Sequence, residues 1–197
     1  MNKESREVTK SDLIPAEEYA KNRKIYRKEI VSYKKDRRVS LGPYANFYFE
    51  SFETMKAQIQ EMLHIEKGGD DQLKDELAAY NPLIPKGKEL VATMMFEIDN
   101  PLSRAEFLNK VGGIEEKIFL KIGNEKIKSI PEQDVDRTSS EGKASSVQFV
   151  HFEFTDEQIK QFKDLSNEVI IGIDHEMYAH TSKLTEANKK ALALDFA

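Results

Sequence analysis

At Leu90 the apolar pattern of this chain changes period, and that change limits the folds open to it. Upstream, Phe52, Met55, Ile59, Met62 and Leu63 share one helical face, because side chains three and four residues apart stack on a helix. Downstream, Leu90, Ala92, Met94, Phe96 and Ile98 alternate, as in a strand with one buried side. A chain with both periods must pack helices against a sheet, so the expected class is α+β.

The punctuation refines this. Pro15 suits a helix start, with Glu17 and Glu18 in the first turn where they complement the dipole. That helix is expected to run to about Arg38, before Gly42 and Pro43, and Tyr44 to Glu50 reads as a strand. Ser51 is an N-cap for the next helix and Gly68-Gly69 its stop; Asp70 or Asp71 caps a third, carrying Leu73, Leu77 and Tyr80.

Beyond Leu90, Asn100-Pro101 opens a helix, Ile118, Leu120 and Ile122 mark a strand, and Gly123-Asn124 is a hairpin turn into another. The polar stretch 131–146 is expected to be a long mobile loop. Gln148, Val150, Phe152 and Phe154 alternate, Thr155 to Gln158 reads as a capping box, and Val169 to Ile173 as a buried strand. A helix from Thr185 to about Asp195 closes the chain. The reading is an N-terminal helical segment plus a mixed sheet with helices on one face. The order suggests a split-βαβ, ferredoxin-like arrangement with an added strand. Residues 1–11 are expected to be disordered, 12–88 mostly helical, and 89–197 an α+β sheet segment packed with the former as one domain.

Absences exclude several functions. There is no cysteine, hence no disulfide, thiolate nucleophile or cysteine-ligated cluster. No apolar run approaches the roughly 20 residues that cross a bilayer, and the polar start lacks a secretory signal, so a cytoplasmic protein without a membrane role is expected. Neither a phosphate-cradling glycine loop nor a nucleophile elbow is present, since the paired glycines at 68–69 and 112–113 both follow helices.

Charge is sorted in space. From Lys21 to Arg38 there are nine basic residues against Glu29 and Asp36, in a chain of net charge −5. Wound as one helix at about 100° per residue, Arg23, Lys24, Arg27, Lys28, Lys34, Lys35 and Arg38 fall within roughly 140° of arc. Tyr19, Tyr26, Ile30 and Tyr33 form a separate core stripe. Such a cationic face is a solvated surface, a dock for an acidic protein, or a nucleic-acid site. The net charge and the tyrosines' place on the core stripe, not between the cations, argue against nucleic acid.

A second candidate follows the buried strand, in Asp174-His175-Glu176-x-Tyr178-x-His180. It could be a metal site of His175, His180 and a carboxylate, or His175 could act in acid–base catalysis oriented by Asp174, with Glu176 nearby. The five-residue separation of the histidines splays them on a helix, and the plainer reading is a strand-end turn. His151 joins the metal candidates only if it folds close to His175. His64 lies off its helix's apolar stripe, near the C-terminus.

Four stretches carry a resemblance: Lys35-Asp36-Arg37-Arg38-Val39-Ser40-Leu41-Gly42-Pro43, Ile59-Gln60-Glu61-Met62-Leu63, Glu76-Leu77-Ala78-Ala79-Tyr80-Asn81-Pro82-Leu83-Ile84-Pro85, and Gly172-Ile173-Asp174-His175. Together they resemble a bacterial family, domain of unknown function 3501, over most of the chain. Its members tend to be encoded beside rubrerythrin-like and iron–sulfur oxidoreductase-like proteins, so the resemblance implies a link to peroxide or iron handling. It assigns no catalytic residue. The preferred expectation is an accessory protein that binds an acidic redox or iron protein through Arg23, Arg27, Lys28, Lys34, Lys35 and Arg38. The rivals are a metal protein or enzyme centred on Asp174-His175-Glu176, and a nucleic-acid binder.

Overall fold

A computed structural model of the chain describes residues 6–132, 138–139 and 142–197. Its helices are α1 (Ala16–Lys34), α2 (Phe52–Glu66), α3 (Gly69–Tyr80), α4 (Pro101–Leu108), α5 (Asp156–Lys163) and α6 (Glu186–Ala193). Its strands are β1 (Arg38–Leu41), β2 (Ala45–Phe49), β3 (Glu89–Phe96), β4 (Ile118–Ile122), β5 (Glu125–Lys128), β6 (Ile130–Pro131), β7 (Val147–Glu153), β8 (Val169–His175) and β9 (Tyr178–Lys183).

The α+β class holds, with a different sheet arrangement from the one expected. A five-stranded sheet runs β1-β2-β3-β7-β6 and a four-stranded one β5-β4-β8-β9; every strand pairing is antiparallel. A split-βαβ arrangement is a single sheet, so the departure lies in the division into two sheets and not in strand direction. Here β3 takes β2 and β7 as antiparallel neighbours, while β4 leaves with β5 to start the second sheet. Element order alone does not reveal that departure.

The two sheets meet in one apolar core. The first sheet gives it Phe47, Leu90, Met94 and Phe152, the second Leu120, Ile171 and Ile173, and the helices Ile159, Phe162 and Leu192. Each large side chain fully buried there contributes about 1.5–3 kcal/mol. A tyrosine joins the sheets at one edge. The Tyr178 hydroxyl donates to the Leu41 carbonyl at 2.6 Å and accepts from the amides of Tyr44 (3.1 Å) and Ala45 (3.0 Å).

The first sheet is covered on its other side as well. Val91 and Phe149 turn outward into a second cluster with Met55 and Ile59 of α2, Leu73 and Leu77 of α3, and Leu83 and Ile84. Val8 completes that cluster, so residues 6–11, expected as a disordered tail, are held. The Val8 amide donates to the Asn81 side chain at 2.8 Å, whose amide group donates back to the Val8 carbonyl at 3.1 Å. One apolar side chain with a reciprocal backbone bond is enough to pin a short segment, and no periodicity reports it. The disorder expected for residues 1–5, and the loop expected over 133–137 and 140–141, lie outside the described residues. At the loop's edges Ile130–Pro131 pairs with β7, and Thr138 bridges Ala144.

Caps behave as their residues require. Ser51, Thr155 and Thr185 accept from backbone amides at N3 of α2, α5 and α6, satisfying donors that a helix start leaves open. Gly68, not Asp70 or Asp71, precedes α3, with both aspartates in its first turn.

Candidate functional site

Layering places α1 farthest from the sheets. α2 and α3 cover the first sheet, and α1 rests on α2; of its 19 residues only Tyr19 is buried. α1 is fixed at two points. Near its start the Tyr19 hydroxyl donates to Glu61 of α2 at 2.7 Å, and Arg23 forms an ion pair with the same carboxylate. The Arg23 hydrogen bond, with help from Tyr19, holds Glu61 down to about 2. Burial, then the bond to Glu61, pushes Tyr19 up to about 12. Near the other end the Tyr33 hydroxyl donates to the Ser51 side chain at 3.1 Å.

The helix is also shorter than its sequence suggested. It ends at Lys34, a single tight turn covers Lys35–Arg37, and Arg38 already belongs to β1. The cause is Arg37, drawn inside to 2% exposure. It makes a two-pronged ion pair with Asp195, at 2.8 and 2.9 Å, and donates to the carbonyls of Glu50 and Ala191. Its guanidinium also lies 5.1 Å from the Tyr33 ring centre.

The proposed cationic face therefore contracts. Arg23 turns to Glu61, and Arg38 pairs with Glu97 at 3.2 Å while lying over Tyr48. Both leave the face because each lies beside an acid on a neighbouring element, which spacing along the chain cannot show. Arg27, Lys28, Lys34 and Lys35 remain, with Lys24, and none forms an ion pair among the described residues. Val31 lies among them on the helical wheel, 69% exposed.

Between its two fixed points α1 stands off α2. The opening is a groove of about 720 Å³, walled by Tyr26, Arg27, Ile30 and Lys34 of α1 and by Lys56 and Ala57 of α2. The sequence showed only one wall. A hint of the other lay in Tyr19, Tyr26 and Tyr33 at heptad spacing, since a packed tyrosine hydroxyl needs an acceptor, and α2 and its N-cap supply Glu61 and Ser51.

The histidine candidates do not converge. Asp174 to Tyr178 is the β8–β9 hairpin, with His175 paired to Tyr178 across Glu176 and Met177. The His175 ring is occupied: Nδ1 accepts from the Met177 amide at 3.1 Å and Nε2 faces the Gly112 carbonyl at 3.3 Å. Both ring nitrogens are thus engaged by backbone groups, the pattern of a structural imidazole. Asp174 is exposed and reaches Lys126 at 3.4 Å, and Glu176 is exposed. His180 packs edge-on against Tyr178, ring centres 4.5 Å apart.

His151 lies in the other sheet, between two carboxylates, with Nδ1 3.0 Å from Glu89 and Nε2 3.2 Å from Glu132. Burial alone would lower its pKa, but the hydrogen bond and charge of Glu89, reinforced by Glu132, outweigh burial and raise it. Acids on opposite edges of one ring cannot join it around a single ion, so this is a charge clamp. Among the described residues no group of three or more histidines and carboxylates is arranged to hold a metal. His64 meets Tyr19 edge-on at 5.6 Å.

Comparison with known proteins agrees with this fold. The model of a family described as a protein of unknown function, DUF3501, matches residues 7–196. The chain belongs to that family. A crystal structure of a protein of unknown function from Burkholderia pseudomallei K96243 is similar, with 34% identity and a TM-score of 0.89. The match covers 96% of this chain and 99% of that one. No curated protein matches. Among the described residues no helix is long and apolar enough to cross a membrane.

Proposed function

We propose that this member of the DUF3501 family is a non-enzymatic accessory protein that docks an acidic partner protein on the outer face of α1. One observation carries the reading. α1 is held at its ends yet leaves Lys24, Arg27, Lys28 and Lys35 exposed and without ion pairs among the described residues. Surface charges of one sign steer association and set orientation, while Val31 supplies an apolar contact inside the patch. The link to peroxide or iron handling that the family resemblance implies supports a partner of that kind, and a rubrerythrin-like protein is the first to test.

Association with a rubrerythrin-like protein, followed by calorimetry, is expected to weaken steeply with salt. Exposed charges are screened over about 10 Å at 0.1 M salt, and an Arg27→Glu/Lys34→Glu variant, which sets like charges against the partner, should lose the association. Binding that ignores salt, or no binding at low salt, refutes the reading.

A further inference from the structure

We infer that the groove between α1 and α2 takes an acidic segment of the partner that also carries apolar side chains; this rests on the docking function proposed above and specifies its mode. The groove spans the gap between the Tyr19–Glu61 and Tyr33–Ser51 contacts. Its α1 wall presents the half-exposed Tyr26 and Ile30, and its α2 wall Ala57, a residue too small to reach across. The chain's own side chains thus leave an apolar floor open along a stretch of helix.

The rim specifies the chemistry of the occupant. Arg27 and Lys34 on one side and Lys56 on the other are free of ion pairs among the described residues, and Lys24, Lys28 and Lys35 extend the positive field outward. The acids in the lining are Glu29, Glu53 and Glu61. Glu61 is neutralised by Arg23, Glu53 lies in the first turn of α2 at the Tyr33–Ser51 end of the groove, and Glu29 lines it from the flank of α1 opposite Arg27 and Lys34. An occupant fits best with apolar residues facing Tyr26, Ile30 and Ala57 and carboxylates facing the three rim cations. A short helix does this naturally, because residues at i, i+3, i+4 and i+7 share a face. From Tyr19 to Tyr33 the groove runs about 21 Å at 1.5 Å per residue, the length of a helix of about 14 residues.

The test uses two labelled synthetic peptides of about 14 residues. One is patterned from Glu and Leu with a single apolar face; the other has every Leu replaced by Gln. Fluorescence anisotropy is read at about 20 mM salt with the full chain, Ala57→Phe, Ile30→Gln and Lys24→Glu/Lys28→Glu. The Glu/Leu peptide should bind at least about tenfold more tightly than the Glu/Gln peptide. Ala57→Phe, which fills the groove without changing charge, and Ile30→Gln, which depletes its floor, should erase that advantage. Both should leave the weak Glu/Gln binding unchanged, which also reports that the fold is intact. Lys24→Glu/Lys28→Glu should weaken both peptides equally. If the two peptides bind alike, or both groove variants keep the Glu/Leu advantage, the groove inference fails while the charged face stands. If neither peptide binds, both readings fail.

Discussion

Arg37 and Asp195 tie the turn after α1 to the segment after α6, and breaking that tie should be among the costliest single polar changes at the described residues. Both side chains are removed from water, at 2% and 8% exposure. Asp195→Ala would leave the guanidinium with only the Glu50 and Ala191 carbonyls and the face of Tyr33. Removing one partner of a buried pair costs about 3–5 kcal/mol, since the survivor keeps its desolvation penalty and loses the attraction. For a chain of this size each kcal/mol moves Tm by about 2–4 °C, so a fall of about 6–20 °C is expected by calorimetry. The double variant Arg37→Met/Asp195→Leu should return to within about 2 kcal/mol of the parent. Burial pushes the Asp195 carboxyl up even against the pull of Arg37, the direction expected where an ionised pair has left water. A loss below about 1 kcal/mol for Asp195→Ala, or a double variant as unstable as the single, would refute this account of why the basic helix ends where it does.

Three further outcomes follow from the same geometry. His151→Ala should cost about 2 kcal/mol near pH 6, by leaving Glu89 and Glu132 without their shared cation. Because the clamp raises the His151 pKa, this stabilisation is complete below the ordinary histidine value and fades as pH rises through the raised one; urea titrations whose difference persists at high pH would contradict it. Glu61 has the opposite sign: its pKa is lowered from 4.5 to about 2, so its contribution is present above 4.5 and lost as pH falls toward 2. Glu61→Gln should abolish that acid limb in a thermal scan, and an unchanged limb would exclude the clamp as its source. Gly42→Ala should destabilise by about 1–3 kcal/mol, because Gly42 has φ +61° and a Cβ would lie 2.6 Å from His180 Cδ2 and 2.8 Å from the Tyr178 hydroxyl; a Tm equal to the parent's would show that the hairpin yields freely.

What the sequence made legible divides along a physical line. Local events were readable. The period change at Leu90 became β3, and the Thr155 capping box and the Gly123-Asn124 turn formed as their residues require, because each is decided within a few residues. Long-range pairing was not readable. Leu90 to Phe96 would alternate in the same way beside a parallel or an antiparallel neighbour, so the division into two sheets left no mark on the pattern. The cationic face shows the same division. The wheel holds for the cations of α1 up to Lys34 and fails at Arg38, which lies in β1, and which cations stay free depends on acids 38, 59 and 158 residues away in the chain, at Glu61, Glu97 and Asp195. Glu61 and Glu97 take Arg23 and Arg38 from the face, and Asp195 draws in Arg37 of the turn that follows α1. The cations that survive lie between and outside these contacts. Intramolecular pairing thus anchors α1 near its ends and leaves the cations between them charged and open, which is what the docking proposal requires.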